Sequence, residues 1–504
     1  MKYCNISLTT LLLAPLVTLN GAKVTKPPTR PNILFILADD LGQRDIGIYG
    51  SSFYETPNID RLARDGAIFT NAYAAASICS PTRSSILTGQ YPARTHNTEY
   101  FGGPNGFDKG IPTDYLPSRD GRFILSWTNH SRFPLLPAPY LECLSASHTT
   151  LAETLKAEGY RTMHAGKWHL GPEGSWPEDH GFDVNRGGHS SGGPYGGEKY
   201  FSPYGNPRLT NGPEGEHIAD RLAEECSKFM EANKDKPFYI SLWFYDVHTP
   251  IMARPELIKK YEAKRLKLGL KPAFISEPPQ QVRQIQEHAV YAAMVETMDN
   301  AVGQVLAKLD ELGLRENTIV IFTSDNGGLS TSSDGSPTSN LPFRAGKGWL
   351  YEGGLREPLL ISYPPLVKPG TVINTPVIST DFYPTLLDFV GIPQNPQQTL
   401  DGISFVPLFR NRKIKRSQLF WHYPHYSNQG GKPSGAIREG DWKLIEWFED
   451  GRLELYNLAV DIGEQDNLTR KYPDKVKDLH EKLVTWRKNT QAIMPDPNPN
   501  SKTR

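Results

Sequence analysis

One short stretch combines a cysteine with residues suited to anion chemistry. Cys79-Ser80-Pro81-Thr82-Arg83 runs directly into Ser84-Ser85-Ile86-Leu87, and this pattern predicts a loop that brings the cysteine to the start of a helix. Backbone N–H groups in the first turn of a helix lack partners within the helix and attract anions. A cysteine placed there could act as a nucleophile on an anionic substrate, although the same five residues also fit an ordinary buried cysteine.

The stretch 79–83, followed by Leu87-Thr88-Gly89, resembles the signature of the type I sulfatases of the alkaline-phosphatase-like superfamily. In that family the cysteine is converted after synthesis to formylglycine (3-oxoalanine), and the hydrated aldehyde is the nucleophile. The resemblance implies that Cys79 is modified by a formylglycine-generating maturation enzyme. It also implies that the chain is a sulfuric ester hydrolase.

Oxygen ligands for a metal ion follow two predicted strands. Asp39-Asp40 end one apolar run, and Asp325-Asn326 end another. Such oxygen ligands suit Ca²⁺ or Mg²⁺ and are poor for zinc, although any single Asp could instead cap a helix or turn. The four residues stand in the sulfatase order. The resemblance therefore implies a metal site formed by Asp39, Asp40, Cys79, Asp325 and Asn326, and it favours Ca²⁺ over Mg²⁺.

Three basic residues match motif positions of the family. Arg83 belongs to C-x-P-x-R, Lys167 to Gly166-Lys167-Trp168-His169, and Lys347 to Gly346-Lys347-Gly348-Trp349. The resemblance implies that Arg83 and Lys167 hold the nucleophile. It implies that Lys167 and Lys347 bind sulfate oxygens.

Two histidines, His169 and His248, match the sulfatase histidines. Histidine titrates near neutrality, which suits proton transfer. The resemblance implies that His248, helped by Lys347, binds the substrate and protonates the departing alcohol. His169 then removes a proton from residue 79 so that sulfate leaves.

Two other functions use similar residues. A phosphomonoesterase or phosphodiesterase of the same superfamily also needs a metal and basic side chains, but the Pro81 and Arg83 spacing is the one read by the maturation machinery. A catalytically inactive glycan-binding relative would be expected to lose Cys79, a metal ligand or His248, and this chain has all of them.

The elements that must position these residues alternate between strands and helices. The apolar run Asn32-Ile33-Leu34-Phe35-Ile36-Leu37-Ala38 is typical of a strand covered on both faces. Further strands are predicted at 160–169, 237–244 and 317–322, and helices at 56–63, 150–159, 217–232 and 284–312. This alternation predicts an α/β fold with a large, doubly wound, mostly parallel sheet flanked by helices.

Two long irregular segments, 91–147 and 172–211, are rich in glycine, proline and aromatic residues. Long loops in compact domains are usually functional, so we expect these segments to bind the sugar that carries the sulfate and to determine specificity for it. His180, Arg186 and His189 are the candidate substrate-binding residues. The chain resembles bacterial carbohydrate sulfatases, which implies a sulfated saccharide from ulvan, carrageenan or a host glycosaminoglycan, with an algal glycan favoured.

Beyond residue 410 the pattern changes to short strands with tight turns, at 436–438, 442–445 and 453–456, and a final helix at 473–488. We therefore predict a catalytic domain over 23–410, a smaller antiparallel α+β subdomain over 411–490, and a flexible tail over 491–504. The sequence Gly440-Asp441-Trp442-Lys443-Leu444 resembles a motif of the C-terminal subdomain of sulfatases.

Composition limits partners and location. Lys plus Arg and Asp plus Glu both number 55 in 504 residues, so no net charge draws the chain to nucleic acid or to an anionic membrane. Residues 1–22 read as a signal peptide, which predicts a periplasmic or secreted protein without a membrane anchor. In an oxidising compartment Cys143 and Cys226 either form a disulfide or remain two buried thiols.

Overall fold

The computed structural model describes residues 30–101, 123–124, 133–332, 335–499 and 501–502. The predicted signal peptide and part of the segment 91–147 lie outside these ranges. The elements up to the middle of the chain are β1 (Asn32–Ala38), α1 (Pro57–Arg64), β2 (Ala67–Tyr73), α2 (Cys79–Thr88), α3 (Pro92–Thr95), β3 (Phe123–Ile124), β4 (Leu135–Leu136), β5 (Tyr140–Leu141), α4 (Leu151–Ala157), β6 (Arg161–Gly166), β7 (Val184–Arg186), α5 (Ile218–Ala232) and β8 (Phe238–Trp243).

The remaining elements complete the central sheet and then build a second one. They are α6 (Pro255–Lys267), β9 (Phe274–Glu277), β10 (Gln280–Arg283), α7 (Ala289–Glu311), β11 (Thr318–Ser324), β12 (Thr331–Ser332), α8 (Glu352–Leu355), β13 (Arg356–Ser362), β14 (Thr371–Ile373), β15 (Val377–Ile378), α9 (Phe382–Val390), β16 (Gln418–Tyr423), β17 (Ser434–Glu439), β18 (Trp442–Trp447), β19 (Leu453–Asn457), α10 (Pro473–Asn489) and β20 (Asp496–Pro497).

The central sheet has the strand order β14-β2-β13-β11-β1-β8-β6-β7, and β15 pairs with β2. Strands β11, β1, β8, β6 and β7 run parallel to one another. Strand β13 is antiparallel to both of its neighbours. The predicted mostly parallel α/β sheet is confirmed, with β13 as a reversed strand that the sequence pattern did not predict.

The run of apolar residues in β1 follows from its position inside the sheet. Leu34 and Ile36 face a core shared with α1, α5, α6 and α7. Phe35 and Leu37 face a second core shared with α2, α4 and α9. Both faces of β1 are therefore covered by helices, which is why residues 33–38 are all apolar.

The second sheet is antiparallel, in the order β16-β17-β18-β19. Leu479 and Leu483 of α10 pack on one of its faces. On the other face, Trp421 and Trp447 pack with Trp349, and the Trp421 indole N–H donates to the Ala74 carbonyl at 2.8 Å. The predicted C-terminal antiparallel sheet is thus confirmed, and it lies directly against the region that carries Lys347.

Three predicted elements differ from the structure. The helix predicted over 284–312 begins at Ala289, because the preceding β10 is held in a hairpin with β9. The irregular segment 172–211 contains β7, a short edge strand parallel to β6. The tail predicted to be flexible is tied down near its end, since β20 pairs with β4 and the Asn498 side chain donates to the Phe133 carbonyl at 2.8 Å.

Candidate active site

The residues predicted to act on sulfate converge at one edge of the central sheet. Asp39 and Asp40 follow β1, Asp325 follows β11, and His248 follows β8 by a few residues. These strands are parallel, so their carboxyl ends meet at the same edge, where open α/β sheets bind ligands. Cys79 is the first residue of α2, as predicted.

A cluster of buried oxygen atoms forms the floor of the site. The Asn326 amide donates to one Asp40 carboxylate oxygen at 2.8 Å, and the Asp40 backbone N–H donates to Asp325 Oδ1 at 3.2 Å. Asp40 has a φ of +61°, which is uncommon for a residue other than glycine and is typical of functional sites. The four predicted ligands therefore do come together.

Three cations neutralise this acidic floor. The Arg83 guanidinium contacts Asp325 Oδ2 through two nitrogens, at 2.8 and 2.7 Å. Lys167 Nζ donates to Asp39 Oδ2 at 2.6 Å. Each pairing buries opposite charges in contact, which is the arrangement that makes buried ions tolerable.

Lys347 is the third cation, and it pairs with the remaining carboxylate. Its Nζ donates to Asp40 Oδ2 at 2.7 Å. His248 Nε2 lies 3.7 Å from the same oxygen. Lys347 and His248 therefore share Asp40, so one carboxylate positions two of the groups predicted to bind sulfate.

The environment drives the pKa values of the carboxyl groups apart. Burial raises the pKa of Asp39 to about 8, reinforced by Asp325 and Asp40 and only partly offset by Lys167. Burial opposes ionisation of Asp40 too, but Lys347 and His248 outweigh it and hold the pKa of Asp40 well below its usual range. The floor thus contains three carboxyl groups matched by three cationic side chains, and the pKa values of Asp39 and Asp40 are shifted in opposite directions.

The oxygens on this floor also fit a hard cation. Asp39 Oδ1 and Asn326 Oδ1 are buried and accept no hydrogen bond from the described residues. Ligand atoms of Asp39, Asp40 and His248 lie within 4.8 Å of one another. Buried acceptors without donors are costly, and carboxylate and amide oxygens are the ligands of Ca²⁺ and Mg²⁺. The predicted metal ligands therefore fit such an ion.

The two histidines differ in what their ring nitrogens contact. His169 Nδ1 lies 3.3 Å from Cys79 Sγ, and its Nε2 lies 2.6 Å from the Phe101 carbonyl oxygen. His248 Nδ1 lies 2.6 Å from the Thr249 carbonyl oxygen. A carbonyl can only accept, so each ring carries a proton on the nitrogen facing the carbonyl and leaves the other nitrogen bare.

Burial also affects how these groups titrate. It lowers the pKa of His169 well below the usual histidine range, and Lys167 adds to the effect. It lowers the pKa of His248 to about 3, helped by Lys347. The pKa of the Cys79 thiol is raised by burial, despite the opposing charges of Lys167 and Lys347. The thiol is therefore poorly ionised, which disfavours an unmodified cysteine as the nucleophile.

A cavity of about 330 Å³ opens above this floor. It is at the lower end of the range for small-molecule sites, roughly 300–1,000 Å³. Its lining residues come from several separate parts of the chain: Ile78, Cys79, Tyr100, Phe101, His169, Gly192, Tyr195, His248, Thr249, Leu329, Lys347, Asn428 and Gln429. Arg83 and Lys167 lie beneath the lining, fully buried.

The three predicted sugar-reading residues are not placed in this lining. His180 is buried, stacks on Trp168 and lies 2.9 Å from the Ser175 hydroxyl through Nε2. Arg186 points outward and pairs with Glu225 at 2.9 Å. Neither His180 nor Arg186 lines the cavity, since His180 braces the loop and Arg186 forms a surface ion pair, and their sugar-binding role stays a prediction. The role of His189 stays a prediction.

The polar lining residues that were not predicted as site residues include Tyr195, Asn428 and Gln429. Tyr195 lies in the segment 172–211, which was expected to read the sugar. Asn428 and Gln429 lie in the turn between β16 and β17 of the C-terminal sheet. The composition of the segment 172–211 indicated a role for Tyr195. No sequence pattern indicates that Asn428 and Gln429 lie near Cys79.

Cys143 and Cys226 are two separate buried thiols. Cys226 lies on α5 within the core shared with α7. The disulfide considered from the sequence is therefore not formed.

The comparison with known proteins agrees with this geometry. The sequence profile of the Sulfatase family matches residues 31–392. This chain belongs to the sulfatase family. The profile of the C-terminal region of N-sulphoglucosamine sulphohydrolase also matches this sulfatase, over residues 345–489. The chain is therefore a sulfuric ester hydrolase.

Curated relatives cover nearly all of this sulfatase. A sulfatase of Formosa agariphila is 32% identical, over 96% of this chain and 93% of its own length. The N-acetylgalactosamine-6-sulfatase of Homo sapiens is 29% identical, over 92% of this chain and 80% of its own length.

Solved structures show the same architecture. The crystal structure of Ps i-CgsB is 26% identical with a TM-score of 0.71, over 94% of this chain and 96% of that one. The same protein is solved in complex with k-i-k-neocarrahexaose, with 27% identity and a TM-score of 0.71 over 92% of this chain and 94% of that one. Within the described ranges of this sulfatase, we find no helix long and apolar enough to cross a membrane.

Proposed function

We propose that this sulfatase removes sulfate from a saccharide and uses formylglycine, formed from Cys79, as its nucleophile. One observation carries the proposal. Cys79, His169, His248 and Lys347 line a single cavity whose floor is the acidic cluster. That cavity brings together a nucleophile position, proton carriers and a cation for an anionic ester, which are the groups that hydrolysis of a sulfate ester requires.

Residue 79, once modified, would supply a hydrated aldehyde as the nucleophile toward sulfur. His169 serves as a base in this arrangement, because its bare Nδ1 faces the side chain of residue 79 at 3.3 Å. The Phe101 carbonyl keeps the other ring nitrogen protonated and so fixes the tautomer. His169 can therefore accept the proton from residue 79 that must leave before sulfate is expelled.

Lys347 and His248 act on the sulfate ester itself. Lys347 stays charged, because Asp40 raises the pKa of its amine against the effect of burial, and it binds sulfate oxygens. His248 presents its Nε2 to the same part of the cavity. This nitrogen is bare in the free protein, so His248 protonates the departing oxygen only after Nε2 takes up a proton in the substrate complex, and the charged Lys347 is the second proton donor. Arg83 and Lys167 hold Asp325 and Asp39 in place beneath.

A bound Ca²⁺ would neutralise charge on the sulfate oxygens. Asp39, Asp40, Asp325 and Asn326 would hold the ion, together with residue 79. The floor's two buried oxygens, Asp39 Oδ1 and Asn326 Oδ1, which accept no hydrogen bond from the described residues, support this assignment.

The relatives suggest which substrate to test first. Ps i-CgsB was solved with a neocarrahexaose, and a human relative is named for N-acetylgalactosamine 6-sulfate. We therefore propose a sulfated saccharide, with carrageenan oligosaccharides as the first candidates. We also propose export to the periplasm or the medium through the signal peptide 1–22, which N-terminal sequencing of the natural protein would test.

The deciding experiment combines maturation with substrate comparison. The protein is produced with and without a formylglycine-generating enzyme, and the peptide carrying residue 79 is analysed by mass spectrometry. We expect an aldehyde in place of the thiol, activity on sulfated oligosaccharides and on a chromogenic aryl sulfate, and far weaker activity on the matching aryl phosphate. Cys79→Ala is the inactive control. Full activity with an unmodified cysteine would refute the mechanism.

A further inference from the structure

The turn between β16 and β17 brings the C-terminal sheet to the cavity. Its backbone is fixed at both sides, since the Trp349 indole N–H donates to the Gln429 carbonyl at 2.8 Å and the Ser427 N–H donates to the Gly431 carbonyl at 2.8 Å. Gly348 permits this close packing. It has a φ of +82°, and a side chain there would approach the Ser427 hydroxyl to 2.1 Å.

The side-chain amides of this rigid turn are free to bind a ligand. No hydrogen bond among the described residues uses the Asn428 amide or the Gln429 Nε2 group, although the Ser427 hydroxyl donates to Gln429 Oε1 at 2.6 Å. That contact holds the Gln429 amide in one orientation. The turn therefore presents hydrogen-bond donors and an acceptor at the cavity, on a backbone that does not need to reorganise on binding.

Tyr195 adds an aromatic face to the same cavity. Its ring lies close to His248, with the hydroxyl 3.5 Å from Nδ1, yet 57% of the residue is exposed. Flat aromatic rings suit the apolar faces of sugars, and an exposed ring is accessible to them. Tyr195 therefore offers a stacking surface next to the group that would protonate the leaving oxygen.

The cavity has little positive charge beyond what the sulfate itself uses. Lys347 is the one lysine or arginine among the described residues that line it, and it already pairs with Asp40 at 2.7 Å. Tyr100, Tyr195, Asn428 and Gln429 are uncharged. A second anionic group on the bound sugar would thus lose its hydration without gaining a partner, which is unfavourable.

We infer that the wall formed by Tyr195, Asn428 and Gln429 binds one uncharged sugar ring, by stacking on Tyr195 and by hydrogen bonds from the two amides. The substrate class is then a monosulfated neutral sugar residue, and a ring that carries a second sulfate or a carboxylate is disfavoured. This inference rests on the proposed sulfatase activity and specifies its substrate.

The test measures how selectivity changes in variants of matured protein. Asn428→Ala, Gln429→Ala and Tyr195→Ala are assayed on a monosulfated neutral oligosaccharide and on a small aryl sulfate. We expect each variant to lower kcat/KM on the saccharide about three- to tenfold relative to the aryl ester, the effect of one neutral hydrogen bond or aromatic contact. Gln394→Ala is the matched control, since Gln394 is exposed and forms no hydrogen bond through its side chain among the described residues.

A second measurement tests the charge of the ring. We expect the wild-type enzyme to hydrolyse a monosulfated neutral sugar at least tenfold more efficiently than the same sugar with a second sulfate or a carboxylate. Equal losses on both substrates in the variants, or a preference for the doubly charged ring, would overturn the inference while leaving the sulfatase activity intact. Wild-type protein that is matured but hydrolyses no sulfate ester would overturn both the inference and the proposed function.

Discussion

His169 directs its bare Nδ1 at Cys79, 3.3 Å from the sulfur. The contact depends on an unusual backbone, because His169 has a φ of +55° just beyond the end of β6. Residues other than glycine rarely adopt this conformation, and where they do it is often part of a functional site. A substitution that keeps this backbone conformation but removes the imidazole can therefore separate the chemical role of His169 from its structural role.

Replacing His169 by asparagine should abolish most of the activity without unfolding the site. Asparagine tolerates the left-handed conformation better than other residues but cannot accept the proton. We expect kcat to fall by about 10²–10⁴-fold, the usual contribution of a general base, with little change in Tm. His169→Ala should lower both kcat and Tm. A variant His169→Asn that retained kcat within a few-fold would exclude His169 as the base.

The acidic floor should make the enzyme dependent on a divalent cation. We expect chelation to remove activity, added Ca²⁺ to restore it, and Ca²⁺ to raise the Tm of the stripped protein, because a ligand that binds only the folded state stabilises it. Asp325→Asn should weaken both responses, since it removes a negative charge and the closest carboxylate partner of Arg83.

The control for this prediction is Asp235→Asn, which changes an exposed carboxylate far from the floor. It should leave the Ca²⁺ concentration for half-maximal activity unchanged. Full activity after exhaustive chelation would contradict the assignment of a metal to Asp39, Asp40, Asp325 and Asn326.

The sequence could predict this floor because the resemblance to sulfatases indicated its residues and secondary structure places them at one edge of the sheet. Asp39, Asp40 and Asp325 each follow an apolar strand, and parallel strands end at a common edge. The position of Cys79 at a helix start likewise followed from local turn chemistry. None of these inferences required knowledge of how distant segments pack.

The rest of the cavity depends on such packing. Gln429 reaches the site only because Gly348 allows the turn between β16 and β17 to approach closely, and nothing near position 429 in the sequence shows this. Strand β13 runs antiparallel to its neighbours β11 and β2. The direction of a strand depends on how the chain connects it to the sheet, and its apolar composition does not indicate that direction. His180 occurs in the right segment of the chain, but its burial against Trp168 appears only in three dimensions.

His180 should therefore affect stability and leave substrate choice unchanged. Its ring stacks on Trp168 and lies 2.9 Å from the Ser175 hydroxyl. We expect His180→Ala to reduce the free energy of unfolding by about 1–3 kcal/mol, the usual cost of breaking a buried hydrogen bond. The ratio of kcat/KM on the saccharide to that on an aryl sulfate should stay constant.

Arg186→Ala provides the comparison for His180→Ala, because Arg186 forms a partly exposed ion pair with Glu225. Such pairs contribute about 1 kcal/mol or less. If either variant changed the ratio of kcat/KM on the saccharide to kcat/KM on the aryl sulfate, the substituted residue would be part of the sugar-binding site.

Glu99 should make the stability of the protein depend on pH. Its side chain is buried beside the Tyr423 hydroxyl, at 3.3 Å, and accepts from the Tyr100 backbone N–H at 3.0 Å. Burial raises the pKa of Glu99 to about 8. Between the unfolded pKa, near 4.5, and about pH 8, the folded protein keeps a proton that the unfolded chain releases. Stability must therefore fall as pH rises through this window.

Glu99→Gln tests the effect, because glutamine has the same shape, stays neutral and can donate to the nearby His425 ring, whose Nδ1 lies 3.8 Å from a Glu99 oxygen. At pH 5 the folded wild-type protein already holds Glu99 neutral, so the Tm values of wild type and variant should be close. By pH 8 the variant should melt at a higher temperature than wild type, and the difference should grow steadily in between. Glu481→Gln, an exposed change on α10, should show no such trend. A Tm difference for Glu99→Gln that is constant from pH 5 to pH 8 would mean that Glu99 does not hold its proton in the folded protein.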